Sequence, residues 1–113
     1  MTSLGDPVLQ AITEAAVGAT GAAQGCVLTA DGEELQVVAA AGGDHPGDLL
    51  GLALPAGSGA AGFVVASGQP LALSPTARDP RRERGVAGRR PTALLCVPCA
   101  ADGVGAGALE LVD

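Results

Sequence analysis

Two strand-like runs, residues 26–30 and 34–41, flank Asp31-Gly32, a dipeptide whose backbone freedom suits a tight hairpin turn. Two more, residues 92–99 and 106–112, flank Ala101-Asp102-Gly103, which carries similar turn chemistry. Hairpins pair their strands antiparallel, so two of them commit the chain to an antiparallel sheet. Ahead of the first hairpin, Asp6-Pro7 is a helix start, because Asp caps free amides and Pro is shaped for the first turn. Val8, Ile12, Ala15 and Ala19 then recur at helical spacing. This predicts an amphipathic helix over about residues 7–19, ending near Gly18 and Gly21.

The middle of the chain is more broken. After the loop Asp44-His45-Pro46-Gly47, the Leu-rich sequence to Leu54 fits a helical turn followed by a short strand. Ser58 is placed to cap a second helix over about 59–67, with Gly68 to end it. Residues 70–74 read as a strand, and residues 75–91, with three prolines and all the arginines, as a long polar connection. The expected fold is α+β, a single domain over residues 1–113, with five or six antiparallel strands and helices on the sheet's faces.

Composition narrows the function classes. The chain has one Phe and no Trp or Tyr, so a large planar cofactor would find only Phe63 to stack on, and no cofactor is expected. The net charge is −6, yet all six cations are arginines between positions 78 and 90. Set against Asp79 and Glu83 they leave that segment at +4, so the remainder carries −10. An acidic body argues against nucleic acid, while the basic segment suits a small anion. Gly and charged residues interrupt every apolar run, and the N-terminus does not read as a signal peptide, so neither a membrane partner nor secretion is expected. Three cysteines cannot all pair within one chain, which agrees with reduced thiols and a cytoplasmic location.

The ordered set Leu54-Pro-Ala-Gly-Ser-Gly-Ala-Ala-Gly62, Ser67-Gly68-Gln69-Pro70-Leu71, Arg78-Asp79-Pro80-Arg81, Leu94-Leu95-Cys96-Val97-Pro98 and Gly107-Ala108-Leu109-Glu110-Leu111 resembles the GAF family pattern in order and spacing. The resemblance covers nearly the whole chain. It implies a profilin-like antiparallel sheet in the order 2-1-5-4-3, with a small-molecule pocket between one face and the intervening helices and loops. It also implies a module that senses a ligand or dimerises, and a lid formed by the arginine-bearing loop. Family members continue into a C-terminal helix where this sequence stops at Asp113. The expectation is therefore an incompletely covered sheet back and a homodimer formed by it and the first helix.

Other motifs carry less. Gly57-Ser-Gly-Ala-Ala-Gly62 matches the dinucleotide fingerprint, but prolines break the region that would continue a parallel unit, so helix capping explains it. Cys96-Val-Pro-Cys99 matches a redox motif, but in a strand, residues three apart face opposite sides. His45 is the lone histidine, in a loop, and one His with three dispersed Cys fits no metal site. Period-two alternation groups Leu95, Val97 and Cys99 with Leu109 and Leu111 on the back of the sheet. Leu94, Cys96, Ala108, Glu110 and Val112 are then expected to floor the pocket, with Phe63, Arg78, Asp79 and Arg81 as walls and lid. The expected function is a non-catalytic sensory module for a small, including anionic, ligand. The alternatives are a thiol-dependent enzyme resembling free methionine sulfoxide reductase and a ligand-free protein-docking scaffold.

Overall fold

The computed structural model describes residues 7–43, 45–57, 59–73, 93–101 and 105–112. Helix α1 (Pro7–Thr20) leads into the hairpin of β1 (Gln24–Asp31) and β2 (Glu34–Gly42). A 3-10 turn (Pro46–Leu49), the short β3 (Ala53–Pro55), helix α2 (Gly59–Ser67) and the short β4 (Leu71–Leu73) follow. The chain closes with β5 (Leu94–Ala101) and β6 (Gly105–Val112). All six strands join one antiparallel sheet in the order β3-β2-β1-β6-β5-β4. With the three-residue β3 set aside at its edge, this is the expected order 2-1-5-4-3.

The helix ends lie where the glycines put them. Gly21 and Gly68 take left-handed backbone at φ 71° and 70°, and their N–H groups close back on the Val17 and Val64 carbonyls. The caps expected from Asp6 and Ser58 lie outside the described residues, as do Asp102 and Gly103 of the second turn.

The two helices cover opposite faces. Ala60, Ala61 and Val64 of α2 pack with Cys26, Leu28, Leu35, Val37, Leu94, Cys96 and Ala108 on the front. Leu9 of α1 packs with Val27, Val38 and Ala39 on the back, where Cys99 and Leu109 join them. A register slip makes this back surface: Val27 pairs with Ala39 but Leu28 pairs with Val37, so β2 carries one extra residue at Val38. Val38 and Ala39 therefore both serve the back cluster.

Helix α1 departs from the periodic expectation. Val8 is 68% and Ile12 49% exposed, and Ala15 and Ala19 also face solvent, whereas the buried positions are Leu9 and Thr13. Thr13 tolerates burial because its hydroxyl donates to the Leu9 carbonyl at 2.7 Å. Gln10 fixes the same rotation. Its amide donates to the Ala40 carbonyl at 2.7 Å and accepts from the Ala40 N–H at 3.1 Å. β3 pairs only with Glu34–Gln36, so Ala40 lies beyond its reach and these two polar groups find their partner in Gln10.

Candidate ligand-binding face

The front face is built around a row of three polar side chains. Cys26 of β1 and Cys96 of β5 both stand opposite Glu110 of β6, so the carboxyl lies between two thiols on neighbouring strands. All three are buried, Glu110 at 3% exposure. Among the described residues that carboxyl accepts from the Cys26 thiol, which donates to Oε2 over 4.0 Å. A thiol is a weak donor, so the carboxylate form is poorly compensated here. Burial accordingly raises the Glu110 pKa from an ordinary 4.5 to about 7. The thiols are pushed up as well, Cys26 and Cys96 by burial first and then by the neighbouring Glu110 charge, Cys99 by burial.

The remaining expected floor residues share this face. Ala108 is fully buried beside Leu28, Leu94 is buried, and half-buried Val112 pairs with Leu94 across β5–β6. Phe63 of α2 packs partly buried against the same cluster. The structure thus brings together Phe63, Leu94, Cys96, Ala108, Glu110 and Val112. Arg78, Asp79 and Arg81 lie outside the described residues.

The cysteines are free, Cys96 on the front and Cys99 on the back. Cys26 and Cys96 are separated by β6, so two strand spacings put their backbones about 9.6 Å apart, beyond disulfide reach without movement. Among the described residues no three His, Cys, Asp or Glu side chains gather to hold a metal ion, and His45 is exposed. The glycine-rich run before α2 is steric in origin. Gly57 takes φ +82°, and a Cβ on Gly62 would run into the Gly57 backbone.

One feature escaped the sequence reading. An open groove of about 340 Å³ lies between Thr20, Gly21 and Ala22 of the α1–β1 connection and the strand ends at Leu94, Leu95 and Val112. It is made by a turn meeting two strand termini, for which linear sequence holds no periodic signal. No helix among the described residues is long and apolar enough to cross a membrane.

The curled six-stranded sheet with a helix on each face is matched by the sequence, whose residues 5–113 fit the GAF domain family. The chain belongs to that family. Its members form a regulatory and sensory ligand-binding fold. This GAF domain is similar to the second GAF domain of DevS from Mycobacterium smegmatis, at 26% identity and TM-score 0.69 over 94% of this chain and 71% of that one. A mutated form of NreA from Staphylococcus aureus, altered in its nitrate-binding site, aligns at TM-score 0.69 and 16% identity over 92% of this chain and 81% of that one. Free methionine-R-sulfoxide reductase from Neisseria meningitidis, in complex with its substrate, aligns at TM-score 0.71 and 20% identity, covering 93% of this chain and 60% of that one. No curated protein matches the sequence.

Proposed function

We propose that this GAF domain is a non-catalytic sensory module that binds a small anion on its α2-covered face. The observation that carries the reading is the gathering of Leu94, Cys96, Ala108, Glu110 and Val112 under Phe63's helix, around one buried carboxyl. Below about pH 7, where burial keeps it protonated, Glu110 presents an O–H donor to an anion instead of a repelling charge. Arg78, Asp79 and Arg81 belong to the sequence between β4 and β5, and arginine is the side chain that grips an anion with two parallel bonds. The nitrate site of NreA, on a chain of the same fold, supports this ligand class.

The reductase likeness favours a thiol enzyme as the competing reading. Against it stand thiols raised away from the reactive thiolate, with Cys96 and Cys99 on opposite faces of one strand. Dimerisation is the second half of the proposal. The outward stripe of Val8 and Ile12 on α1, with Leu95 39% exposed on β5, leaves apolar surface for a second copy.

Calorimetric titration with nitrate, phosphate and acetate, alongside an assay with free methionine sulfoxide and a thiol reductant, tests the reading. Saturable binding of one anion, weakened at least tenfold by Arg78→Ala or Arg81→Ala, is expected. Turnover of the sulfoxide that is lost on cysteine substitution would refute the non-catalytic assignment.

A further inference from the structure

Helix α1 carries two apolar stripes, and its own fold uses one of them. Leu9 and Thr13 are buried against the back of the sheet, while Gln10 reaches the outer edge of β2 at Ala40. At about 100° per residue, Val8, Ile12, Ala15 and Ala19 lie on the flank opposite Gln10, which looks along the sheet toward β6 and β5. All four are exposed. They recur at intervals of four, three and four residues, the seam pattern of two helices lying side by side.

The outer side of α1 is apolar too. Ala11, Ala15 and Gly18 make up the side turned away from the sheet. Glu14, the one charged residue of α1, accepts from the Gln10 amide at 3.1 Å and so belongs to the β2 flank. A surface helix ordinarily turns charged side chains to water, and one that is apolar all round is covered.

Beside this helix the sheet is bare. α1 lies over β2 and β1 and touches β6. On the same face Leu95 is 39% exposed, and Val97 and Leu109 are half-buried. β5 and β6 together span about 9.6 Å, close to the width of one helix. Residues 74–92 offer little to cover that strip, since they hold six arginines, one Val, and no Leu, Ile, Met, Phe, Tyr or Trp.

The back face therefore presents, side by side, an apolar helix that lacks a cover and a strip one helix wide. A twofold axis running along α1 meets both demands at once. It turns two sheets back to back, sets their α1 helices parallel, and lays the outer side of each helix over the strip of the other copy. An axis across the helices would instead stack one α1 on the other, and an axis normal to the sheet would leave the two backs apart.

We propose that two copies of this chain interleave in this way. Val8, Ile12, Ala15 and Ala19 of one α1 meet the same residues of the other, and Ala11, Ala15 and Gly18 cover Leu95 and Val97 across the interface. The two Glu14 side chains fall on opposite outer flanks, so no like charges meet in the seam. Both α2-covered faces point outward and stay open to a ligand. The arrangement rests on the dimerisation reading above and adds its geometry.

Isotope-filtered NMR on a mixture of labelled and unlabelled chains tests it on the unmodified protein. Contacts between copies are expected from Ile12 to Ile12, and from the Ala11 and Ala15 methyls to Leu95 and Val97, in a particle of twice the chain mass by sedimentation. Leu95→Glu should weaken the dimer at least about tenfold, because it sets a carboxylate in a covered apolar strip, and should leave the urea midpoint of the dilute monomer unchanged. A dimer whose contacts between copies involve neither Ile12 nor Leu95 would overturn the interleaved arrangement and leave dimerisation standing. A monomer throughout the dilution series would overturn both.

Discussion

The two faces of the sheet are closed by helices of different character. On the back, α1 is joined to the sheet by directed bonds, because Gln10 grips both backbone groups of Ala40. On the front, α2 lies on the sheet through Ala60, Ala61 and Val64, with Phe63 and Val65 partly buried beside them, over a carboxyl that accepts from the Cys26 thiol. The back is thus specified by directed bonds and the front by apolar packing around a buried carboxyl. Local stability differs within a fold in this way, and ligand-responsive elements are drawn from the less anchored parts.

The largest test of this contrast removes a side chain from each cluster. Leu28 is fully buried in the centre of the front, where little can collapse into the gap, whereas Leu9 sits at 8% exposure near the start of α1. Leu28→Ala should cost about 4 kcal/mol and Leu9→Ala about 2 kcal/mol by denaturant unfolding. Equal losses would mean that the faces are packed alike.

Gln10→Ala should come next. It leaves the Ala40 N–H and C=O without their partner, for a loss of about 1–3 kcal/mol. Its signature should be local, with faster amide exchange in α1 and unchanged exchange in α2. A loss spread evenly over both helices would erase the distinction between bonded and packed faces.

Thiol reactivity gives a smaller, kinetic measure. Cys99 is half-buried on the back, whereas Cys26 and Cys96 are buried beside Glu110, whose charge raises them further. Alkylation followed by mass spectrometry should modify Cys99 at least about tenfold faster. Faster modification of Cys96 would show that the front opens more readily than its packing implies.

The smallest effect on the fold belongs to Ile12. Nearly half-exposed, it should accept Ile12→Asp with a stability change within about 0.5 kcal/mol. The same substitution should shift the mass found by light scattering from dimer to monomer. A large loss of stability would mean that the outward stripe serves the fold rather than a partner.

These outcomes bear on what the sequence could disclose. Hairpin positions and the limits of α2 were legible because Asp31-Gly32 and Gly68 are turn chemistry with few alternatives. The strand parity that sets Glu110 with Ala108 and Cys96 was legible too, since alternation along β5 and β6 is regular. The rotation of α1 was not. Ala occurs all round that helix, so apolar spacing offered Val8 and Ile12, while the deciding contacts were a polar Gln10 and a self-satisfied Thr13. The extra residue in β2 was equally hidden, because Val37-Val38-Ala39 reads the same whichever side each residue faces.

The central claim is that the α2-covered face is the responsive one. Amide chemical-shift mapping during titration with nitrate tests it most directly. The account predicts shifts concentrated at Cys26, Phe63, Leu94, Cys96, Ala108 and Glu110, with Leu9, Val27, Val38 and Leu109 unmoved. Shifts centred on the second set, or on the groove beside Gly21 and Ala22, would contradict it.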